Sequence, residues 1–186
     1  MVLTADQQIE VLALVVSLEA LEAPHLLLLI CKHLRLDVAE VMPTVRARGN
    51  LSWTQVTSIL HNFPKAKHLS FSYQRDDALI TELVEGRELH TLRLSMCTGV
   101  TDVSALVGCA SLHTLDLSHC YEVRDVSPLA GCASLHTLVL SYCPGVTDVS
   151  ALAGCASLHT LNLSSCDGVT DVSALAGCAS LRTLNH

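Results

Sequence analysis

The residues of this chain best suited to chemistry fall into columns. His90, His113, His136 and His159 follow one another at intervals of 23 residues, and Arg182 comes next in line. Imidazoles on adjacent strands would sit about 5 Å apart. That arrangement suits a Zn²⁺ site or a pH-dependent charge. The plainer account is a solvated polar residue copied along with its repeat. Eight of the nine cysteines form two more columns: Cys97, Cys120, Cys143 and Cys166, then Cys109, Cys132, Cys155 and Cys178. No C-x-x-C pair occurs, and structural zinc sites gather four ligands at one point instead of spreading them along an axis. The odd count and the acidic, non-secretory start argue against a disulfide framework. We read these cysteines as reduced core residues, since free Cys packs as a small hydrophobe. Asp102, Asp125, Asp148 and Asp171 form a fourth column. The Gly-rich nonapeptide of Ca²⁺-binding solenoids is absent, so they read as turn caps. Asp116, Ser118 and His119 have the residue types of a hydrolytic triad, but lie too close along one strand to form its relay. The residue at the His119 position becomes Tyr142 and then Ser165 in the next copies. No Gly-rich phosphate loop and no paired-carboxylate signature occurs. The expectation is a non-enzymatic chain with no catalytic residue, no metal and no cofactor.

The elements that position these columns come from one repeated unit. LHTLRLSMCTGVTDVSALVGCAS begins at Leu89. Near-copies begin at Leu112, Leu135 and Leu158, and a fifth opens at Leu181. In L-x-x-L-x-L, alternate side chains share one face, so the leucines line the buried side of a short strand. Strands are expected to centre on Leu69–Phe71, Leu92–Leu94, Leu115–Leu117, Leu138–Leu140 and Leu161–Leu163. No unit buries its leucines alone, so neighbouring copies must stack. On the return path Val103, Val126, Val149 and Val172 should point inward, as should Leu106, Leu129, Leu152 and Leu175. Ser104, Ser127, Ser150 and Ser173 read as N-caps of a single helical turn, with Pro128 just inside it. Gly108, Gly131, Gly154 and Gly177 fit that turn's C-terminal end. In register before Leu89 lies a degenerate copy: Ala66, Leu69 and Phe71 match Leu89, Leu92 and Leu94. Gln74 stands where Cys97 would, and Gly86 where Cys109 would.

L-x-x-L-x-L-x-x-C resembles the leucine-rich-repeat consensus, which takes Asn or Cys at its ninth position. V-T-D-V-S-x-L-A resembles the convex half of internalin-type repeats, and the cysteine series resembles the cysteine-containing repeats of F-box proteins. The resemblance covers Leu89–His186. It implies an α/β leucine-rich-repeat solenoid: a right-handed arc with a parallel β-sheet on the concave face, short helical turns on the convex face, and an α-helical N-terminal cap. The implied domains are residues 1–62, a helical cap or F-box-like region, and 63–186, the solenoid.

Variation between copies marks the expected binding face. Arg93, Asp116, Val139 and Asn162 point outward on the strand, and Met96, His119, Tyr142 and Ser165 lie just beyond it. Thr91, Thr114, Thr137 and Thr160 stay constant beside them. Concave solenoid surfaces bind partners. The partner-binding candidates are therefore these eight variable residues together with His90, His113, His136 and His159. Tyr142 and Arg93 are the expected anchors, being of the residue types that dominate binding hot spots.

Residues 1–62 lack the repeat. Helical spacing is read at Ile9–Leu18, Leu26–Leu34 and Val38–Met42, and Ser52 precedes a further helix over Trp53–His61 that Pro64 stops. One reading is a plain cap over the first strand. The other is an F-box: APHLLLLICKHLRLD resembles its start and SILHNFPKAKHLSF its junction with repeats, although Ala23-Pro24 stands for the usual Leu-Pro. That resemblance implies a ubiquitin-ligase adaptor as partner and a substrate-recruiting role.

Bulk properties narrow the classes. Of 186 residues half are hydrophobic and only 3% aromatic, so the core is aliphatic and repetitive. The net charge of −7 and the absence of a Lys/Arg cluster exclude nucleic acid as the expected partner. No apolar run is long enough to span a bilayer, and a cytoplasmic or nuclear location is expected. Leu181 and Leu184 open another strand, but His186 stands where its last leucine belongs. An open sheet edge is expected there, with edge-to-edge self-association or continuation into a longer array.

Overall fold

The computed structural model describes residues 44–47, 49, 51–75 and 79–186. Seven parallel strands form one open sheet in chain order: β1 Thr44–Ala47, β2 His68–Phe71, β3 Thr91–Arg93, β4 Thr114–Asp116, β5 Thr137–Val139, β6 Thr160–Asn162 and β7 Thr183–Asn185. From β2 onward the register steps by whole repeats: Leu69, Leu92, Leu115, Leu138, Leu161 and Leu184 face one another across the sheet. The strands are short because only about three residues per copy run straight before the chain must turn back under the sheet. Single 3-10 turns at Ser104–Leu106, Ser127–Gly131, Ser150–Gly154 and Ser173–Gly177 carry it back. The earliest returns are longer: helices α1 Trp53–Asn62 and α2 Leu79–Val84 take their place. The result is the expected leucine-rich-repeat solenoid.

Among the described residues the sheet extends one strand further back than the repeat pattern indicates. β1 pairs with β2 through Val45↔Leu69 and Ala47↔Phe71, inside the segment expected to be a helical cap. Its sequence TVRA puts Val and Ala where later copies have Leu, so the L-x-x-L-x-L signature is absent while the alternation survives. The helix expected after Ser52 is α1. The helices read at Ile9–Leu18, Leu26–Leu34 and Val38–Met42, and the F-box-like stretch 23–37, lie outside the described residues.

The core is a stack of like side chains. Leu92, Leu115, Leu138 and Leu161 are buried beneath the strands, with the leucines two residues later, the Val103 and Leu106 columns, and a further valine column at Val100, Val123, Val146 and Val169. Burial loosens at the last copy, where Val172 and Leu181 are only half-buried. The eight repeat cysteines are free thiols, all buried except half-buried Cys109. Each buried thiol donates to a carbonyl of the preceding copy: Cys120 to Leu94 O at 3.1 Å, Cys143 to Leu117 O at 3.1 Å, Cys166 to Leu140 O at 2.8 Å. Cys132, Cys155 and Cys178 do the same to Leu106, Leu129 and Leu152. In the first copy Gln74, buried at the Cys97 position, bonds the carbonyls of Gly49 and Ser72. The ninth position is thus a side-chain rung between copies.

Two local assignments need correction. The serines do not cap the 3-10 turns with their side chains. Instead Asp102, Asp125, Asp148 and Asp171 accept the N–H of the serine two residues on, at 2.7–2.8 Å. A short carboxylate reaches a backbone donor two residues ahead, and this local ring sets the turn. Of the turn glycines only Gly108 adopts positive φ, at 84°. The other three continue the 3-10 turn by one or two residues, where their conformation is ordinary. Arg87 ties the two helices together, donating to Glu82 O and Glu85 O at the end of α2 and to Leu60 O of α1.

Candidate functional site

The open face of the sheet carries three rows of side chains, and the twelve expected binding residues divide evenly among them. The middle row is outward on the strands: Arg93, Asp116, Val139 and Asn162 face one another in register, and Ser70 and Asn185 extend the row. Arg93 is exposed and, among the described residues, enters no ion pair. Its neighbour Asp116 is already occupied. That carboxylate accepts the Ser118 N–H at 2.9 Å, the Ser118 hydroxyl at 2.6 Å and the Ser95 hydroxyl at 3.1 Å. Asn162 accepts the Ser164 N–H in the same manner at 3.0 Å. Half of this row therefore shapes the exit from the strand, which leaves Arg93 and Val139 as its free contacts.

The second row follows the strands. Met96, His119, Tyr142 and Ser165 all have φ of 60°, and Tyr73 has φ of 64°. This left-handed conformation costs a side-chain-bearing residue roughly 1–2 kcal/mol. It lets the chain keep pairing past the strand, since the N–H groups of Met96, His119 and Tyr142 donate to Ser118 O, Ser141 O and Ser164 O. It also throws these side chains outward into a ridge. Tyr73, Met96 and Tyr142 are exposed. The His119 ring stacks on Tyr142 with centroids 4.4 Å apart and planes 7° apart, and meets Tyr121 edge-on. Tyr73 and Tyr121 were missed from sequence. Tyr73 stands 23 residues before Met96, so the repeat register held the signal.

The third row precedes the strands. His90, His113, His136 and His159 stack face to face with centroids 5.4, 5.1 and 5.0 Å apart. Each Nδ1 meets the carbonyl two residues earlier: Glu88, Ser111, Ser134 and Ser157, at 3.2, 2.7, 2.6 and 2.6 Å. At the first end lies His68, its ring 5.9 Å from His90. Burial, and then the positive charge of His90, Arg93 and Lys67, holds its imidazole below the ordinary value.

Asp116, Ser118 and His119 do not form a relay. Ser118 donates to Asp116, while the His119 Nδ1 meets the Tyr121 hydroxyl at 3.1 Å. Among the described residues no group of three or more His, Cys, Asp or Glu side chains is placed to hold a metal ion. Among them, too, no helix is long and apolar enough to cross a membrane.

A leucine-rich-repeat family model matches residues 154–176. No curated protein matches the chain. Among solved structures an internalin (inlF) of Listeria monocytogenes superposes with a TM-score of 0.54 at 19% sequence identity. The match covers 78% of this chain and 48% of the internalin, so the chain spans about half that protein's length. At this identity the likeness is one of fold.

Proposed function

We propose that this chain, a leucine-rich-repeat protein, is a protein-binding module whose partner lies across the open face of its sheet and against the ridge beside it. One observation carries the reading. A constant threonine-lined framework presents Arg93, which enters no ion pair among the described residues, and a ridge of exposed Tyr73, Met96 and Tyr142 with half-buried His119, each held by backbone pairing. Side chains fixed this way lose little freedom on binding. Tyr and Arg are also the residue types that most often dominate interfaces.

The test is affinity capture with the full chain, compared against Tyr142→Ala and Arg93→Ala. Each substitution should weaken capture of the true partner by roughly 1–3 kcal/mol, the range of a hot-spot truncation. Thr147→Ala, exposed on the return path, should leave it unchanged. A partner lost with Thr147→Ala and kept by the Arg93/Asp116/Tyr142 triple-alanine variant would refute the reading. Capture of a ubiquitin-ligase adaptor that survives the triple variant would move binding to the N-terminal segment, in keeping with the F-box alternative.

A further inference from the structure

The row in front of the strands is basic from one end of the described repeats to the other. Its members are Lys67, His90, His113, His136, His159 and Arg182. Backbone bonds fix their order: His90 N–H donates to Lys67 O at 2.8 Å, and His113, His136, His159 and Arg182 each donate to the previous member's carbonyl at 2.9 Å. A permanent cation thus closes each end of a four-imidazole stack, on a chain whose net charge is −7.

The stack has a defined protonation geometry. A carbonyl only accepts, so the Nδ1 of each ring holds the proton that it donates to Glu88, Ser111, Ser134 or Ser157. Nε2 of each ring keeps its lone pair. The rings are nearly parallel, with planes 3°, 12° and 7° apart. Pinned 5.0–5.4 Å apart, neighbours are too distant to share a metal, which needs about 2.1 Å to each nitrogen. Among the described residues the row has few acidic neighbours. Glu88 is one, loosely paired with Lys67 at 3.9 Å. Ser111, Ser134, Ser157 and Ser180 occupy its position in later copies, and Thr91, Thr114, Thr137 and Thr160 flank the row on the strand side. Of the other charged groups on this face among the described residues, His68 and Arg93 are basic, and Asp116, at the Arg93 position of the next copy, is engaged by Ser95 and Ser118. Imidazole changes charge between pH 5 and 8. Acid therefore adds positive charge to a row that already has a permanent cation at each end.

We propose that this row is a proton-gated binding strip for the acidic face of a partner helix. The inference rests on the protein-binding reading above and adds the partner's chemistry and its regulation. Side chains three and four residues apart on a helix lie about 5–6 Å apart, which matches the ring spacing. Alternate side chains of an extended peptide recur at roughly 6.6–6.8 Å and fall out of step with it. A nucleic acid at neutral pH would meet only two permanent cations on a negatively charged chain. Stacked imidazolium groups repel one another, and a carboxylate row across them offsets that repulsion, so protons and ligand bind cooperatively. Lys67 and Arg182 show that the row accepts a permanent cation.

The experiment uses the full chain and a fluorescent alanine-based helical peptide with glutamates in one stripe. A second peptide has the same composition with the glutamates scattered around the helix. Anisotropy is read at fixed ionic strength near pH 5.5 and near pH 7.5, with circular dichroism reporting the fold at both. The striped peptide should bind roughly tenfold tighter in acid, a usual size for coupled equilibria. His113→Gln/His136→Gln should lose that gain, and His113→Arg/His136→Arg should bind tightly at both pH values. Equal affinity at the two pH values, a retained gain in the Gln variant, or equal binding of the scattered peptide would overturn the proposal. Tighter binding of single-stranded oligothymidylate than of the striped peptide in acid would overturn the choice of partner. The assay needs no natural partner, so its outcome is separate from that of the Tyr142→Ala capture experiment.

Discussion

Replacing Cys143 by Ala and by Ser tests whether the buried thiols act as rungs between copies or as apolar filler. Cys143 is fully buried, and its thiol lies 3.1 Å from Leu117 O. That carbonyl also accepts the Cys120 N–H at 3.0 Å, so removing the thiol orphans nothing. Alanine forfeits burial of about one methylene's worth of apolar volume, ~0.8 kcal/mol. It also leaves a methyl-sized void costing ~1 kcal/mol, for a total of about 2 kcal/mol. Serine loses the same apolar transfer, but its hydroxyl finds the Leu117 carbonyl waiting. A neutral hydrogen bond returns about 1 kcal/mol, so serine should cost about half as much as alanine. For a chain of this size each kcal/mol moves the thermal midpoint by roughly 2–4 °C. Alanine should therefore lower it by roughly 4–8 °C and serine by roughly 2–4 °C, followed by circular dichroism in reducing buffer. The order of the two variants is decisive. In an apolar hole without an acceptor, a hydroxyl costs more than a methyl group. A serine variant less stable than the alanine variant would refute the rung.

The same burial governs alkaline stability. It pushes the Cys97 thiol up to about 11, and the Cys132 and Cys143 thiols up to about 12, from an ordinary value of 9.0. A raised value favours the protonated, folded form, so this stability is whole below pH 9.0 and is lost as pH climbs towards about 12. A thermal midpoint that holds constant across that range would contradict the assignment. Under native conditions a thiol reagent followed by peptide mapping should mark half-buried Cys109 first among the eight repeat cysteines. Equal labelling of Cys120 and Cys143 would mean that the stack is open. A Cβ on Gly145 would sit 2.7 Å from Val123 O, whereas one on Gly154 would meet nothing nearer than 3.7 Å. Gly145→Ala should cost roughly 1–3 kcal/mol as an overpacked site, with Gly154→Ala close to neutral in the same melt; equal midpoints would count against the close approach.

The sequence by itself determined the repeat and therefore the fold. A period of 23 with L-x-x-L-x-L places alternate leucines on one face, and a strand has only two faces to choose from. The strand positions, the inward valines and leucines and the buried cysteines all follow from that periodicity. Even Gln74 was placed correctly at the cysteine position. What escaped was whatever depends on contacts between copies. β1 was hidden because TVRA keeps the alternation but not the leucines, and only pairing with β2 reveals it. The Asp columns cap the turns as their sequence reading expected, but the serines, also read as caps, supply the backbone N–H that these carboxylates accept. Asp116 looked like a free outward charge until Ser95 and Ser118 were seen to occupy it. The histidine column was visible as spacing. Its parallel stacking, the Nδ1 protons held by carbonyls, and its extension back to Lys67 were decided by the tertiary structure. Sequence sets which side chains recur, but only the stacking of one copy on the next fixes the roughly 5 Å separation of adjacent strands at which those side chains act on one another.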